Sequence, residues 1–270
     1  MKQVSDQEFA RNLRVRALRM VHKAKASHIG SCLSIGEIVA VLFNGFLRLD
    51  SKQPNWPERD RFILSKGHAA AIYYAALSER GFFPASWIER YCENAAKLAG
   101  HVTMGVPGVE FSAGALGHGL PVSLGMAKAA KHDGASHRVV VLMSDGECDE
   151  GSVWEGALLA AQYELDNLTV IVDYNKIQSF GRVSDVADLH PFAQKWEAFR
   201  WGVQEVDGND CQAVKAALSE APFTPGKPSV IIAHTIKGKG VSFMEDNILW
   251  HYKSPNDVEL ANALAELEVN

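Results

Sequence analysis

The residues best equipped for chemistry lie in two short stretches, Ser144-Asp-Gly-Glu-Cys-Asp-Glu-Gly151 and Asp173-Tyr-Asn-Lys-Ile-Gln178. The first offers the carboxylate of Asp145 beside Gly146; the second offers the amide oxygen of Asn175 and the main-chain carbonyls around it. Hard oxygen ligands of this kind suit Mg²⁺ or Ca²⁺ and not zinc, and a Mg²⁺ with few protein ligands completes its octahedron with water and phosphate oxygens. A helix starting near Gly146 would present free N–H groups to the same anion. The implied ligand is a metal-bound diphosphate. Taken singly, each residue has a plainer reading, with Asp145 capping a helix and Asn175 making a turn. The pairing of the two stretches favours the metal.

Such a pairing requires both stretches to leave one edge of a sheet. Val139-Val-Val-Leu-Met143 and Leu168-Thr-Val-Ile-Val-Asp173 are short β-branched runs that read as strands buried on both faces. Between them Trp154, Ala157, Leu158 and Ala161 recur at helical spacing, so the unit is strand, helix, strand, and a right-handed crossover puts both strand ends on the same edge. Arg61-Phe-Ile-Leu-Ser65 followed by a helix from His68, Val203-Gln-Glu-Val206, and Pro228-Ser-Val-Ile-Ile-Ala233 extend the sheet. Ser5-Asp-Gln-Glu8 is a capping box for a helix reaching Ala24, with Phe9, Leu13, Ala17 and Met20 inward and Arg11, Arg14 and Arg19 on a solvated face. Further helix starts are expected at Ser34-Ile-Gly-Glu37, at Ser86-Trp-Ile-Glu89, at Asn209 with Gln212, and at Asn256-Asp-Val-Glu259. The last of these carries Val258, Ala261, Leu264 and Leu267 as its apolar stripe. His28 falls on a connecting loop, and Gly100 to Gly119 is too glycine-rich for one element, with a small-residue helix from Leu120 to Ala130 after it. The expected architecture is α/β: a doubly wound, mainly parallel sheet with helices on both faces, in one domain over residues 1–270.

Asp-Gly, a helix, a strand and then Asn together resemble the thiamine diphosphate motif of the transketolase family. Ser27-His-Ile-Gly-Ser-Cys32, Leu64-Ser-Lys-Gly-His-Ala69, Gly114-Ala-Leu-Gly-His-Gly119, Lys237-Gly-Lys-Gly240 and Trp250-His251 resemble other signatures of that family in the same order. The likeness spans nearly the whole chain but only the amino-terminal half of a full transketolase. The resemblance implies a thiamine diphosphate-binding, Rossmann-like fold and the first subunit of a split enzyme that transfers a two-carbon ketol unit from a ketose phosphate to an aldose phosphate. It implies Mg²⁺ bound by Asp145, Asn175 and the carbonyl of Ile177. Cofactor contacts would come from Ser31, His68, Gly114, Ala115, Leu116, Gly146, Glu150, Asn175, Lys237 and His251, with Glu150 facing the partner. His28, His101 and His251 would act on the sugar, because ketol transfer needs groups that bind hydroxyls and exchange protons near neutral pH. Ser144, Ile29 and His118 depart from the glycine, proline and glutamine common in the family. The partner implied is a carboxy-terminal transketolase subunit in an α2β2 assembly.

Net charge and composition narrow the alternatives. A formal charge of −5 leaves no basic footprint for nucleic acid, four scattered cysteines fit a reducing cytosol, and no apolar run reaches membrane-spanning length. The N-terminus is too polar for a signal peptide, so a soluble cytoplasmic protein is expected, and the resemblance implies the pentose phosphate pathway or a catabolic ketose phosphate pathway. Related thiamine diphosphate enzymes, such as the α subunit of a 2-oxo acid dehydrogenase or a deoxyxylulose phosphate synthase, compete with this reading. So does a non-catalytic Mg²⁺-nucleotide domain, although no Gly-x₄-Gly-Lys-Ser/Thr or Gly-x-Gly-x-x-Gly follows the first strand.

Overall fold

Apolar runs short enough to be covered on both faces form five parallel strands, β1 (Arg61–Leu64), β2 (Val139–Ser144), β3 (Leu168–Tyr174), β4 (Gly202–Asp207) and β5 (Ser229–His234), in the order β1-β2-β3-β5-β4. The computed structural model describes residues 4–269; Met1, Lys2 and Gln3, part of the polar N-terminus read above, and Asn270 lie outside them. Side chains alternate between faces, as the pleat demands. Phe62, Leu64, Val140, Leu142, Ile171 and Ile231 join one apolar core, while Ile63, Val139, Val141, Met143, Val170, Val230 and Ile232 join the other.

The first core is closed by α1 (Asp6–Ala24), α2 (Ile29–Ser34), α3 (Gly36–Val41), α4 (Ala70–Glu79) and, from the far end of the chain, α9 (Cys211–Glu220) and α10 (Asp257–Val269). The second is closed by α5 (Gly119–His132), α6 (Gly151–Gln162) and α8 (Phe192–Ala198), with the single turn α7 (Val183–Val186) at its rim. This is the doubly wound parallel architecture. Register pairs Ser144 with Asp173 and Asp173 with Ala233, so the strand exits lie level along one edge. No helix among the described residues is long and apolar enough to cross a membrane.

Several local expectations are corrected. Arg14 is buried: its guanidinium donates to both Glu37 oxygens at 2.6 and 2.5 Å and to the Leu33 carbonyl. That ion pair occupies Glu37, and the Ser34 hydroxyl donates to Asp173 at 2.8 Å, so Ser34 and Glu37 form no capping box and the chain breaks into α2 and α3. Pro84, not Ser86, precedes the turn at Ala85–Arg90, which is a short 3₁₀ element. Asp210 caps α9 by accepting from Gln212 N–H at 2.8 Å, whereas the Asn209 oxygen accepts from Ile236 N–H. On α10 the box at Asn256 and Glu259 forms in both directions, but the inward stripe is Leu260, Ala263 and Leu267; Val258 and Ala261 face solvent. On α6 Leu158 is 54% exposed, so only Ala157 and Ala161 of the expected apolar set are fully covered.

Candidate active site

The exits of β2 and β3 bring Asp145 and Asn175 together at the sheet edge. Asp145 is buried and accepts from Gly146 N–H at 2.8 Å and from Lys176 N–H at 2.7 Å, which ties the β2 exit to the β3 exit directly. Burial, then the neighbouring carboxylate of Asp173, pushes its pKa up to about 6. Asn175 donates its amide N–H to Asp173 at 2.9 Å and accepts from Ile177 N–H on its oxygen at 3.1 Å, so the network fixes which end of the amide is which. The carbonyl of Ile177 accepts from the Lys237 ammonium at 2.8 Å.

Asp173 is the hub behind these groups. It is fully buried and accepts from Lys66, Thr235, Ser34 and Asn175, drawn from β1's exit, β5's exit, α2 and β3's exit. Burial alone would raise its pKa; the Lys66 ammonium and the hydroxyls of Thr235 and Ser34 hold it below the ordinary value instead.

Four histidines from four separate segments meet above the strand ends. The His28 ring lies 5.2 Å from His68, 5.6 Å from His101 and 5.2 Å from His251, centroid to centroid. His28 holds a left-handed backbone, φ 74°, at the start of α2, and its N–H donates to the His251 carbonyl at 2.7 Å. Burial, then His101, Lys237 and Lys66, lowers the His28 pKa to about 4; burial, then Lys237, lowers His251 to about 3; burial and Lys66 lower His68. All three rings are therefore neutral at pH 7. Lys237, itself lowered to about 8 by burial and Lys66, donates to His251 Nδ1 at 2.8 Å, which leaves that ring's proton on Nε2.

These groups line one cavity of about 340 Å³. Its wall includes the predicted His28, Ser31, His68, His101, Gly114, Leu116, Asp145, Gly146, Glu150, Asn175, Ile177, Lys237 and His251. Ala115 is exposed on the same loop but outside the lining. The sequence reading missed Lys66, Ser144, Asp149, Gln178, Ser179, Phe180, Val186 and Tyr252. Lys66 was the most accessible of these, since a lysine inside an apolar strand exit at Leu64-Ser-Lys-Gly-His-Ala69 needs a buried anion. Phe180 had no signal; it tips a hairpin in which Ile177 bridges Arg182, and it is 85% exposed.

Among the described residues no three His, Cys, Asp or Glu side chains are grouped to hold a metal ion. The donors that share this wall, one carboxylate, one amide oxygen and one carbonyl, are all hard oxygens. The chemistry of this donor set is that of a Mg²⁺ site, and Asp145, Asn175 and the Ile177 carbonyl would hold the ion.

Residues 5–265 match the family described as transketolase, thiamine diphosphate binding domain. The chain is 48% identical over 242 residues to one subunit of the apulose-4-phosphate transketolase of Actinobacillus succinogenes, covering 89% of this chain and 87% of that one. It is 37% identical over 268 residues to the 6-deoxy-6-sulfo-D-fructose transketolase subunit SqwG of a Clostridium species, covering 99% and 98%. Among solved structures, transketolase from Leishmania mexicana superposes with a TM-score of 0.93 at 30% identity, over 98% of this chain but 42% of that one.

Proposed function

The chain belongs to the transketolase family, and from that premise we propose that it is the diphosphate-binding subunit of a two-subunit, Mg²⁺-dependent transketolase that moves a two-carbon ketol unit from a ketose phosphate to an aldose phosphate. The observation that carries this reading is the meeting of the Asp145, Asn175 and Ile177 oxygens with the four-histidine cluster in one cavity.

Charge supports the metal. Asp145, Asp149 and Glu150 line the cavity against Lys66 and Lys237, and Lys66 is already paired with Asp173. With three histidines held neutral, the wall has no surplus positive charge for a diphosphate, so a divalent cation has to arrive with it. Asp145, Asn175 and the Ile177 carbonyl would hold that cation. Gly146 and Lys237 would meet the diphosphate, with Ser31 and His68 beside it, and Gly114, Ala115 and Leu116 would support the cofactor's middle portion.

Bound thiamine diphosphate supplies a nucleophilic carbon and an electron sink for the two-carbon fragment. The chain's part is to orient and to move protons. His251 would present Nε2–H as a hydrogen-bond donor to a sugar oxygen, and neutral His28 beside it, with His101 beyond His28, would accept or donate at neighbouring hydroxyls. Because His28, His68 and His251 stay neutral at pH 7, they would bind hydroxyls without repelling the metal.

Two features support a second polypeptide. The relatives that this chain covers almost end to end are named as subunits, and the full transketolases extend well beyond it. Glu150 and Phe180 are exposed at the cavity mouth, where the partner would cover them in an α2β2 assembly. Donors to test first are the ketose phosphates, with apulose 4-phosphate and 6-deoxy-6-sulfo-D-fructose, for which the relatives are named. The deciding assay compares this chain, its partner chain and their mixture for ketol transfer with thiamine diphosphate and Mg²⁺. Activity from the mixture alone is expected; full activity from this chain alone would overturn the two-subunit reading.

A further inference from the structure

Glu147 stands between two cavity residues yet lines no part of the cavity itself. Its side chain is completely buried and turned away from the ligand space, beneath the glycine-rich segment 113–119. Oε1 accepts the Ser65 hydroxyl, at the exit of β1, and the Gly117 N–H at 3.1 Å; Oε2 accepts the Ser144 N–H, at the exit of β2, at 2.9 Å. One carboxylate therefore joins three loops. The next peptide is held as well, because the Ser152 hydroxyl donates to the Gly117 carbonyl at 2.9 Å. Gly117 has φ 79°, and a Cβ there would stand 2.6 Å from the Glu150 Cβ, so the segment is pressed against the start of α6 as well as tethered to it.

We propose that Glu147 is a positioning residue for the cofactor wall: it pins segment 113–119 to the exits of β1 and β2, and thereby sets the height at which Gly114 and Leu116 face the cavity. The proposal rests on the reading that the cavity takes thiamine diphosphate. It assigns to Glu147 a role that neither Asp145 nor Glu150, its neighbours in the same motif, can fill, because the Asp145 oxygens accept from Gly146 and Lys176 N–H and Glu150 is exposed. Both N–H donors sit on fixed backbone, one on each oxygen, so an acceptor at both positions is required.

The test uses Glu147→Gln in the full chain. Glutamine has the same shape but one oxygen, and its NH₂ opposes whichever N–H the oxygen does not take. Hydrogen exchange of segment 113–119 in the chain alone should rise about tenfold or more, the effect of losing one charge-assisted bond on a local opening. In the complex with the partner subunit, thiamine diphosphate affinity should weaken by about tenfold while kcat at saturating cofactor changes little, the signature of a displaced wall and not of lost chemistry. The control is Asp60→Asn, which breaks a buried carboxylate bonded to Arg48 and Arg138 at the opposite end of β1. It should lower thermal stability and leave both readouts unmoved. Unchanged exchange in Glu147→Gln overturns the proposal, and so does an equal rise in Asp60→Asn. If the wild-type complex binds no thiamine diphosphate, the functional reading fails by itself, and the exchange measurement still decides whether Glu147 pins the segment.

Discussion

Replacing Asp173 by asparagine should be among the most damaging single changes in this chain, although Asp173 touches no ligand. The side chains of Lys66 and Asp173 are both fully buried and ion-paired, and Asp173 also accepts from Thr235, Ser34 and Asn175. Asp173→Asn removes the counter-charge of the buried Lys66 ammonium and leaves it only neutral acceptors, the amide oxygen of the new side chain and the Ser31 carbonyl at 3.2 Å. Stranding one member of a buried pair costs about 3–5 kcal/mol. For a domain of this size that lowers Tm by about 6–20 °C, read by circular dichroism at pH 7. The double change Lys66→Met with Asp173→Asn removes both charges and should recover most of the loss, since an apolar replacement of a buried pair is close to neutral. The sign with pH follows from the lowered Asp173 pKa. The pair's stabilisation is fully present above the ordinary aspartate value of 3.8 and disappears as pH falls through the lower folded value, so the gap between wild type and Asp173→Asn should be constant from pH 5 to 8 and narrow only in strong acid. Equal Tm values for wild type and Asp173→Asn, or a double variant no better than the single, would refute the reasoning.

Asp145→Ala should weaken Mg²⁺-dependent thiamine diphosphate binding by at least about 100-fold with the fold retained, because it removes a metal donor and opens no core cavity; calorimetry on the reconstituted complex measures it. His28→Ala should cut turnover with a ketose phosphate by about 100-fold or more and leave cofactor affinity nearly unchanged, and equal kinetic constants would make the ring structural. His28 also predicts an acid limb: with its pKa lowered from 6.5 to about 4, the unfolded chain takes up the proton first, so stability declines as pH drops from about 6.5 to about 4, and His28→Asn should flatten that decline in pH-dependent urea melts.

The sheet was legible because it is buried on both faces. Continuous runs such as Val139 to Met143 have no rival reading as surface helix, and strand-helix-strand handedness then placed Asp145 beside Asn175 before any geometry was known. The site residues were legible through motifs, and they collect because parallel strands all release their loops at one edge. What the sequence hid were competitions settled by tertiary partners. Ser34 and Glu37 have the spacing of a capping box, yet Asp173 and Arg14, distant in sequence, claim them. Arg14 shares its side of α1 with the buried Ala10, Ala17, Leu18 and Val21, and only the approach of Glu37 on α3 shows why an arginine can be buried there. Lys66 signalled by its apolar setting that it needs a buried anion, but not which one, since Asp173 lies on a strand more than a hundred positions away.

The bond from His28 N–H to the His251 carbonyl joins a segment near the start of the chain to one near its end. Contacts of such long sequence separation form late, because most of the chain must be ordered before they can be made. Synthesis runs from the N-terminus, so β1 to β3 are made before Thr235, Lys237 and His251. Asp145 and Asp173 thus exist for a time without the second lysine and the last histidine of their cavity. A chain ending before Trp250-His251 would carry all five strands of the fold but lack the ring that His28 packs against at 5.2 Å and the carbonyl that takes its N–H.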